Sequence, residues 1–368
     1  MTTALLVFFG RGGASQIERR LDAIKIAIGS IVLSRAGAAG FTPLVGVTDD
    51  GDARASFSRS GARVIAPRTA PFHFGQELLA ITRELGLDRL CTIGAGAGAL
   101  LSREELDRLR EELETSEALV LSNNYYSADL VAFTPASALS VIDLPATDNP
   151  LPRRLHQQGG LSSRQLERSA ATLFDVDTPA DAAVLTRHPA CPPELRALDN
   201  WDEELGDRID ALMRLVTTPE RELIVAGRVG APVWSYLESQ TACRVRMLAE
   251  ERGMQAAGRD VSGEARTALG FLYRETGPVK FFEQLGELAD GMLFDTRVLF
   301  AHLGWTPSGS DRFSSDLFRA DAIGDRALRE FTRAAAAAPF PLLLGGQTLV
   351  SGVLWTLVEA AWAGHPEP

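Results

Sequence analysis

The sequence predicts a two-part protein. Residues 1–190 read as an α/β domain with a mostly parallel, mixed sheet sandwiched by helices, and residues 191–368 as an all-helical domain. Three observations carry this. Through the first half, short apolar runs alternate with amphipathic stretches of roughly 10 to 15 residues, the pattern of strands joined by helical crossovers. That alternation fades after the Pro/Cys/Pro stretch 188–195 (HPACPPEL), where helical spacing takes over. The make-up of the 368 residues, 45% hydrophobic and 23% charged, is that of a globular chain rather than a disordered or collagen-like one.

The elements follow in order. Residues 4–10 (ALLVFFG) form a first strand; the N-terminus lacks the basic flank and small-residue cleavage site of a signal peptide. Residues 15–40 have helical spacing. Residues 44–50 (LVGVTDD) and 62–67 (ARVIAP) are further strands with a short polar helix between them. A helix over 74–87 leads to a fourth strand at 88–96 (DRLCTIGAG). Ser102, followed by acids, starts the helix 102–114. Residues 117–124 and 128–135 are two more strands. In the second half the spacing predicts helices over 202–216, 232–253, 263–276, 279–304, 323–338 and 342–363. On the helix 232–253, Arg246 and Glu250 are four apart and pair, while Arg244 and Glu251 share a face. Trp234 and Tyr236 offer a basic-aromatic pocket as the alternative use of that region. Asp295-Thr296-Arg297 and the stretch Asp311–Asp316 stand out as polar islands without an assigned role.

Charge narrows the partners. There are 48 acidic and 37 basic side chains, net −11, which argues against binding the backbone of a nucleic acid. The excess is uneven: residues 1–190 hold 19 Lys/Arg and 22 Asp/Glu, net −3, and the remainder is net −8. An anionic ligand therefore belongs with the first half. Three separated cysteines (Cys91, Cys191, Cys243) and no zinc-type spacing predict a reducing, cytoplasmic setting. Residues 340–364 are apolar but carry Gln347 and Glu359, so they read as a buried C-terminal helix and not a membrane span. The five histidines, at 73, 156, 188, 302 and 365, show no ligand spacing; His73 is expected to pack against Phe72 and Phe74, with facing a nucleotide cleft as the alternative.

Two segments point to chemistry. The first strand runs into Gly10-Arg11-Gly12-Gly13 and then a helix with Arg19, Arg20 and Lys25. Backbone amides of a glycine turn at a helix N-terminus suit a phosphate, and a guanidinium can grip it bidentately. A plain tight turn is the competing reading. Near residue 177, Leu173-Phe174-Asp175-Val176-Asp177-Thr178-Pro179 places two carboxylates at i and i+2, on one side of an extended segment. They are candidate ligands for a divalent cation; capping of the next helix by Asp177 or Thr178 is the alternative.

Strand–GRGG–helix, then a strand, glycine turn and Leu100-Leu101-Ser102 before a helix, and the closing DVDTPADAAVL resemble the GT-A-type nucleotidyltransferases. The branch they look most like is that of the molybdenum-cofactor and phospholactate guanylyltransferases. The resemblance covers residues 4–186, about half the chain, and is strongest in the closing segment. It implies a fold of the nucleotide-diphospho-sugar transferase type and Mg²⁺-dependent transfer of a nucleotidyl group from a triphosphate to a small phosphorylated acceptor. By that resemblance Gly10, Arg11, Gly12 and Gly13 cradle phosphates, Lys25 is the basic residue after the loop, and Asp177 is a ligand of Mg²⁺. The family carries a metal-binding Asp in a G-G-D-x-P-L-L segment after the fourth strand. Here that segment, 93–102, has no carboxylate, and the opening loop lacks the L-x-G-G-x-G-x-R order. Asp129 is the candidate replacement ligand. Asn123 and Asn124, at a strand end, are candidates to read a base or sugar, or else to cap the turn.

The missing carboxylate supports a second reading, a catalytically reduced protein that binds a nucleotide or sugar nucleotide. A third takes Gly94-x-Gly96-x-x-Ala99 as a dinucleotide fingerprint, which requires a strand before it and a helix opening at its end. The helical domain is expected to cap the cleft or to form a homodimer.

Overall fold

The computed structural model describes residues 2–198 and 201–364; His365 lies outside them. The chain divides into two compact units, Met1–Gly12 with Asp22–Asp175, and Gly13–Leu21 with Val176–Pro368. The division thus falls at residue 175 rather than 190, and a short N-terminal piece is counted with the second unit.

The first unit is built on β1 (Thr3–Phe8), α1 (Gln16–Ala38), β2 (Leu44–Val47), α2 (Gly51–Arg59), β3 (Arg63–Ile65), α3 (Phe74–Leu85) and β4 (Arg89–Gly94). Then come α4 (Arg103–Thr115), β5 (Leu119–Ser122), β6 (Leu130–Thr134), α5 (Leu151–Gln157), β7 (Ser162–Gln165) and α6 (Ala170–Leu173). The seven strands lie in the order β3-β2-β1-β4-β6-β5-β7. Only β6 is antiparallel to its neighbours, β4 and β5, so the sheet is mixed and mostly parallel, as expected. Local signals set the boundaries. Asp50 caps α2 by accepting from the N–H groups of Asp52 and Ala53, and Ser102 with Glu105 forms the capping box of α4. Gly86, in the left-handed region at φ 62°, ends α3. The core is mainly aliphatic with a few phenylalanines: Leu6, Val45, Leu78, Ile81, Leu90 and Phe133 pack in one cluster. The strand missing from the sequence reading is β7 (SSRQ), a polar edge strand with little apolar content to mark it.

Helices fill most of the second unit, as predicted, but not all of it. Its elements are α7 (Pro179–Leu185), α8 (Pro193–Arg196), α9 (Glu203–Val216), β8 (Glu222–Gly227), α10 (Ala231–Gln240), β9 (Arg244–Ala249) and α11 (Ala268–Gly286). They continue with β10 (Gly291–Asp295), α12 (Thr296–Leu303), α13 (Gly309–Asp316), α14 (Arg326–Ala336), β11 (Leu342–Gly345) and α15 (Gly352–Ala363). The four strands make a wholly parallel sheet in the order β11-β10-β8-β9. The expected long helices 232–253 and 342–363 each break into a helix and a strand, and 279–304 into the end of α11, β10 and α12. For the last two the physical reason is burial on both sheet faces, since GMLFD and LLLG are short unbroken apolar runs with no period to read, as is most of ELIVAG in β8; β9 (RVRMLA) is instead a polar edge strand whose charges at alternate positions suit a helix face equally well. Pairings inferred from a helix fail with it. Arg246 lies on β9 and pairs across to Glu222 of β8, 3.0 Å away, while Glu250 accepts from Ala268 N–H at 2.8 Å. Tyr236 stacks on Trp355 with ring centroids 4.0 Å apart, which is core packing rather than a pocket wall. Among the described residues no helix is long and apolar enough to cross a membrane.

Candidate functional site

Strand order in the first sheet turns between β1 and β4, because the chain leaves β1 for β2 and β3 on one side and returns to β4 on the other. Open α/β sheets bind ligands outside the carboxyl ends of the strands at such a point. Phe8 at the end of β1 lies opposite Gly94 at the end of β4. The loops starting at Gly10 and at Gly94 therefore emerge side by side. β6 starts at Leu130 opposite Ile93, and β5 ends at Ser122 opposite Val131, so the loop 123–129 joins them at the same edge.

The glycine segment after β4 is held from several directions. Gly94 N–H donates to the Asp129 carbonyl (3.0 Å), Ala95 N–H to the Phe8 carbonyl (2.9 Å), and Ala97 forms an isolated bridge with Asp175. Arg35 of α1 reaches over to donate to the carbonyls of Ala99 (2.9 Å) and Leu101 (2.7 Å). Gly98, at φ 78°, takes the left-handed turn that glycine favours. A Cβ at Gly10 or Gly94 would meet no atom within 4 Å, so the backbone is bare there. Among the described residues, the N–H groups of Gly10, Arg11 and Gly96 have no intramolecular acceptor. Bare backbone with free amides is what a phosphate requires for close approach.

The charged residues of the opening loop are already engaged. Arg11 donates through Nε to Asp50 at 2.8 Å and pairs with it through Nη2, with Asp52 3.9 Å away. The hydrogen bond to Asp50 and its charge hold the Arg11 guanidinium above the usual arginine range. Burial alone would raise the Asp50 carboxyl, but the Ala53 N–H and Arg11 outweigh it and hold the group below its ordinary value. Gly12 N–H is taken by the Asp22 carboxylate, at 3.2 and 3.3 Å from its two oxygens. Burial raises the Asp22 carboxyl against the opposing effects of Gly12 N–H and Lys25. Lys25 thus faces an acid of its own helix. Asp22, Arg35 and Asp50 are absent from the sequence reading. Asp50, directly before a helix, was legible as a cap; Asp22 matters through the turn ten residues before it, and Arg35 through carbonyls more than sixty residues on.

The two asparagines are turn residues. Asn123 is buried, and its Oδ1 accepts from the N–H groups of Asp129 (3.1 Å) and Leu130 (3.2 Å). Asn124 Oδ1 accepts from Tyr126 N–H at 3.0 Å, an Asx turn. Both are committed to shaping the loop, and Asn123 Nδ2 also lies 3.4 Å from Asp129 Oδ2. His73 likewise caps a helix, its Nδ1 accepting from Gln76 N–H.

The dinucleotide reading fails on geometry. The segment after Gly94 makes turns and a bridge, and α4 opens only at Arg103 behind its Ser102 cap, so no helix starts at Ala99 to receive a pyrophosphate.

Of the three predicted metal ligands, two belong to the first unit. Asp129 and Asp175, both half-buried, flank the glycine segment, one through its carbonyl on Gly94 and the other through its bridge to Ala97. Asp177 is exposed and falls, like Gly13, in the second unit. Among the described residues no group of three or more His, Cys, Asp or Glu side chains is arranged as a metal cradle. Two carboxylates suit Mg²⁺ in another way, since that ion is commonly held by one or two carboxylates, waters and substrate phosphates.

No family model matches the chain, and no curated protein matches it in sequence. Solved structures do align with part of it. A cytidylyltransferase from Leptospira borgpetersenii serovar Hardjo-bovis is 16% identical over 51% of this chain and 86% of its own, with a TM-score of 0.40. A CMP:2-keto-3-deoxy-manno-octonic acid synthetase in complex with CTP is 15% identical over 49% of this chain and 95% of its own, TM-score 0.36. A nucleotidyl transferase from Methanothermobacter thermautotroptrophicus is 18% identical over 49% and 94%, TM-score 0.36.

Proposed function

We propose that the first unit binds a nucleoside triphosphate at the β1/β4 edge and transfers its nucleotidyl group, with Mg²⁺, to a small phosphorylated acceptor. The observation that carries this reading is the meeting of two bare glycine backbones, at Gly10 and Gly94, beside Asp129 and Asp175. In the transfer, an acceptor oxygen forms a bond to the α-phosphorus as the bond to the pyrophosphate oxygen breaks. Such chemistry needs positioning and charge neutralisation more than a covalent partner. The amides of Gly10, Arg11 and Gly96 are the free donors for phosphate oxygens. Arg11, held by Asp50 through Nε and Nη2, would offer Nη1 to the same group.

The acids Asp22, Asp50, Asp129 and Asp175 make this edge unfavourable for a bare triphosphate, so a cation is required for tight binding. Asp129 and Asp175 are the residues that would hold Mg²⁺, which when bound neutralises the phosphates and the leaving pyrophosphate. Asn123 helps to orient the Asp129 carboxylate.

A thermal-shift panel of the four nucleoside triphosphates with and without Mg²⁺, followed by pyrophosphate release with phosphorylated acceptors, tests the proposal. Stabilisation that needs Mg²⁺ and disappears in Asp129→Asn and Asp175→Asn is expected. Stabilisation that ignores Mg²⁺, with no pyrophosphate release, favours the second reading: a nucleotide- or sugar-nucleotide-binding protein without transfer. That reading draws on the occupation of Gly12 N–H by Asp22 and on the lack of a carboxylate within 93–102.

A further inference from the structure

The four-stranded sheet of the second unit has a carboxyl edge of its own. Its order turns between β8 and β10, since β9 lies on one side of β8 and β10 with β11 on the other. The ends of β8 and β10, the turn after β11, and helices α7, α12 and α13 bring three acids and three arginines to this edge. Asp181, Asp295 and Asp316 are fully buried and Arg228 nearly so. Four of the six close on one another. Arg228 donates to Asp295 at 2.6 and 3.0 Å, and Arg297 donates to Asp316 at 2.9 and 2.6 Å.

The remaining acid and base do not pair. Asp181 uses only one oxygen: Oδ2 accepts from the N–H groups of Asp177 (3.0 Å) and Thr178 (2.7 Å) and from the Thr348 hydroxyl (2.8 Å) after β11. Its buried Oδ1 has no partner. Arg312, half-buried on α13, has a buried Nε without an acceptor and makes no ion pair within 4 Å among the described residues. Arg297 acts electrostatically on both, attracted by Asp181 and repelling Arg312, while Asp316 and Glu18 attract Arg312 without bonding to it. A buried acceptor without a donor and a donor without an acceptor are each costly, so both are rarely left in one cluster without a use.

We infer that this edge is a second ligand site, for a small oxyanion that also carries a hydroxyl group, with Arg312 taking the anionic group and Asp181 Oδ1 accepting from the hydroxyl. A guanidinium suits phosphate and carboxylate alike, so the shared chemistry is a hydroxylated oxyanion. The site is independent of the nucleotide reading, since every residue in it belongs to the second unit.

The test is thermal shift of the full chain with glycerol 3-phosphate, glycerate and inorganic phosphate. At least one of the two hydroxylated anions should stabilise the protein more than inorganic phosphate, and which one responds identifies the phosphate or carboxylate class. Arg312→Gln should abolish the shift, Arg11→Gln should preserve it, and Asp181→Asn should remove the advantage over inorganic phosphate. No shift in the wild type overturns the inference. So does a shift that survives Arg312→Gln, or a preference unchanged in Asp181→Asn.

Discussion

The two sheets end in different ways. At the carboxyl edge of the first, the polypeptide presents backbone: bare glycines, free amides and half-buried acids. At that of the second, it presents side chains, with arginines and aspartates withdrawn from water and largely closed on one another. Both edges obey the same topological rule, so topology alone does not decide what a crevice contains. The contrast has a thermodynamic side. A backbone-lined edge can be altered with little effect on stability, whereas a buried charge cannot lose its partner cheaply.

The strongest way to break the comparison is at Asp295. Its replacement by alanine strands Arg228, which is 5% exposed, and should cost about 3–5 kcal/mol in chemical denaturation. A loss under about 1 kcal/mol would mean that the second edge is wetter than the first. At the first edge, Gly10→Val places a branched side chain over bare backbone. Stability should stay within about 0.5 kcal/mol, while nucleotide affinity falls at least about tenfold, about 1.4 kcal/mol, by calorimetry.

A third prediction concerns acid. Glu251, after β9, accepts from Arg259 at 2.8 and 2.9 Å, which with the Arg266 N–H outweighs burial and pulls its carboxyl down to about 2. A folded pKa below the unfolded one stabilises the protein above the ordinary carboxylate range, and that contribution fades as pH falls toward 2. Urea unfolding at a series of pH values should show a shallower acid loss in Glu251→Gln than in the wild type. The smallest effect belongs to Arg326→Ala. The Arg326–Glu330 pair has a 2.9 Å contact, but Arg326 is 88% exposed, so the change should stay below about 0.5 kcal/mol. Set against Asp295→Ala, it contrasts an exposed guanidinium–carboxylate pair with a buried one.

Legibility from sequence followed the same divide. In the first unit, caps and glycines announced themselves: SREE became the capping box of α4, and alternating runs became β1 to β6. The two glycine loops of the candidate site were visible for that reason. Their meeting was not, nor was the use of Asn123 and Asn124 as turn residues, because both depend on how β5 and β6 return to the edge. In the second unit, α10, β9 and α11 lie between Arg228 and Asp295 in sequence, and no local pattern connects the members of the pair.

By itself the sequence determined the helices with strong caps, the parallel character of the first sheet, and the glycine turns at residues 10–13 and 94–98. These are local consequences of spacing, capping chemistry and backbone freedom. Only the tertiary structure decided that ELIVAG, GMLFD and LLLG are strands, since an apolar run buried on all sides has no period to distinguish strand from helix. It also decided which charges are partners. An ion pair is set by distance in space, and Arg11 with Asp50, Arg228 with Asp295 and Arg297 with Asp316 are neighbours only because the sheets bring their ends together.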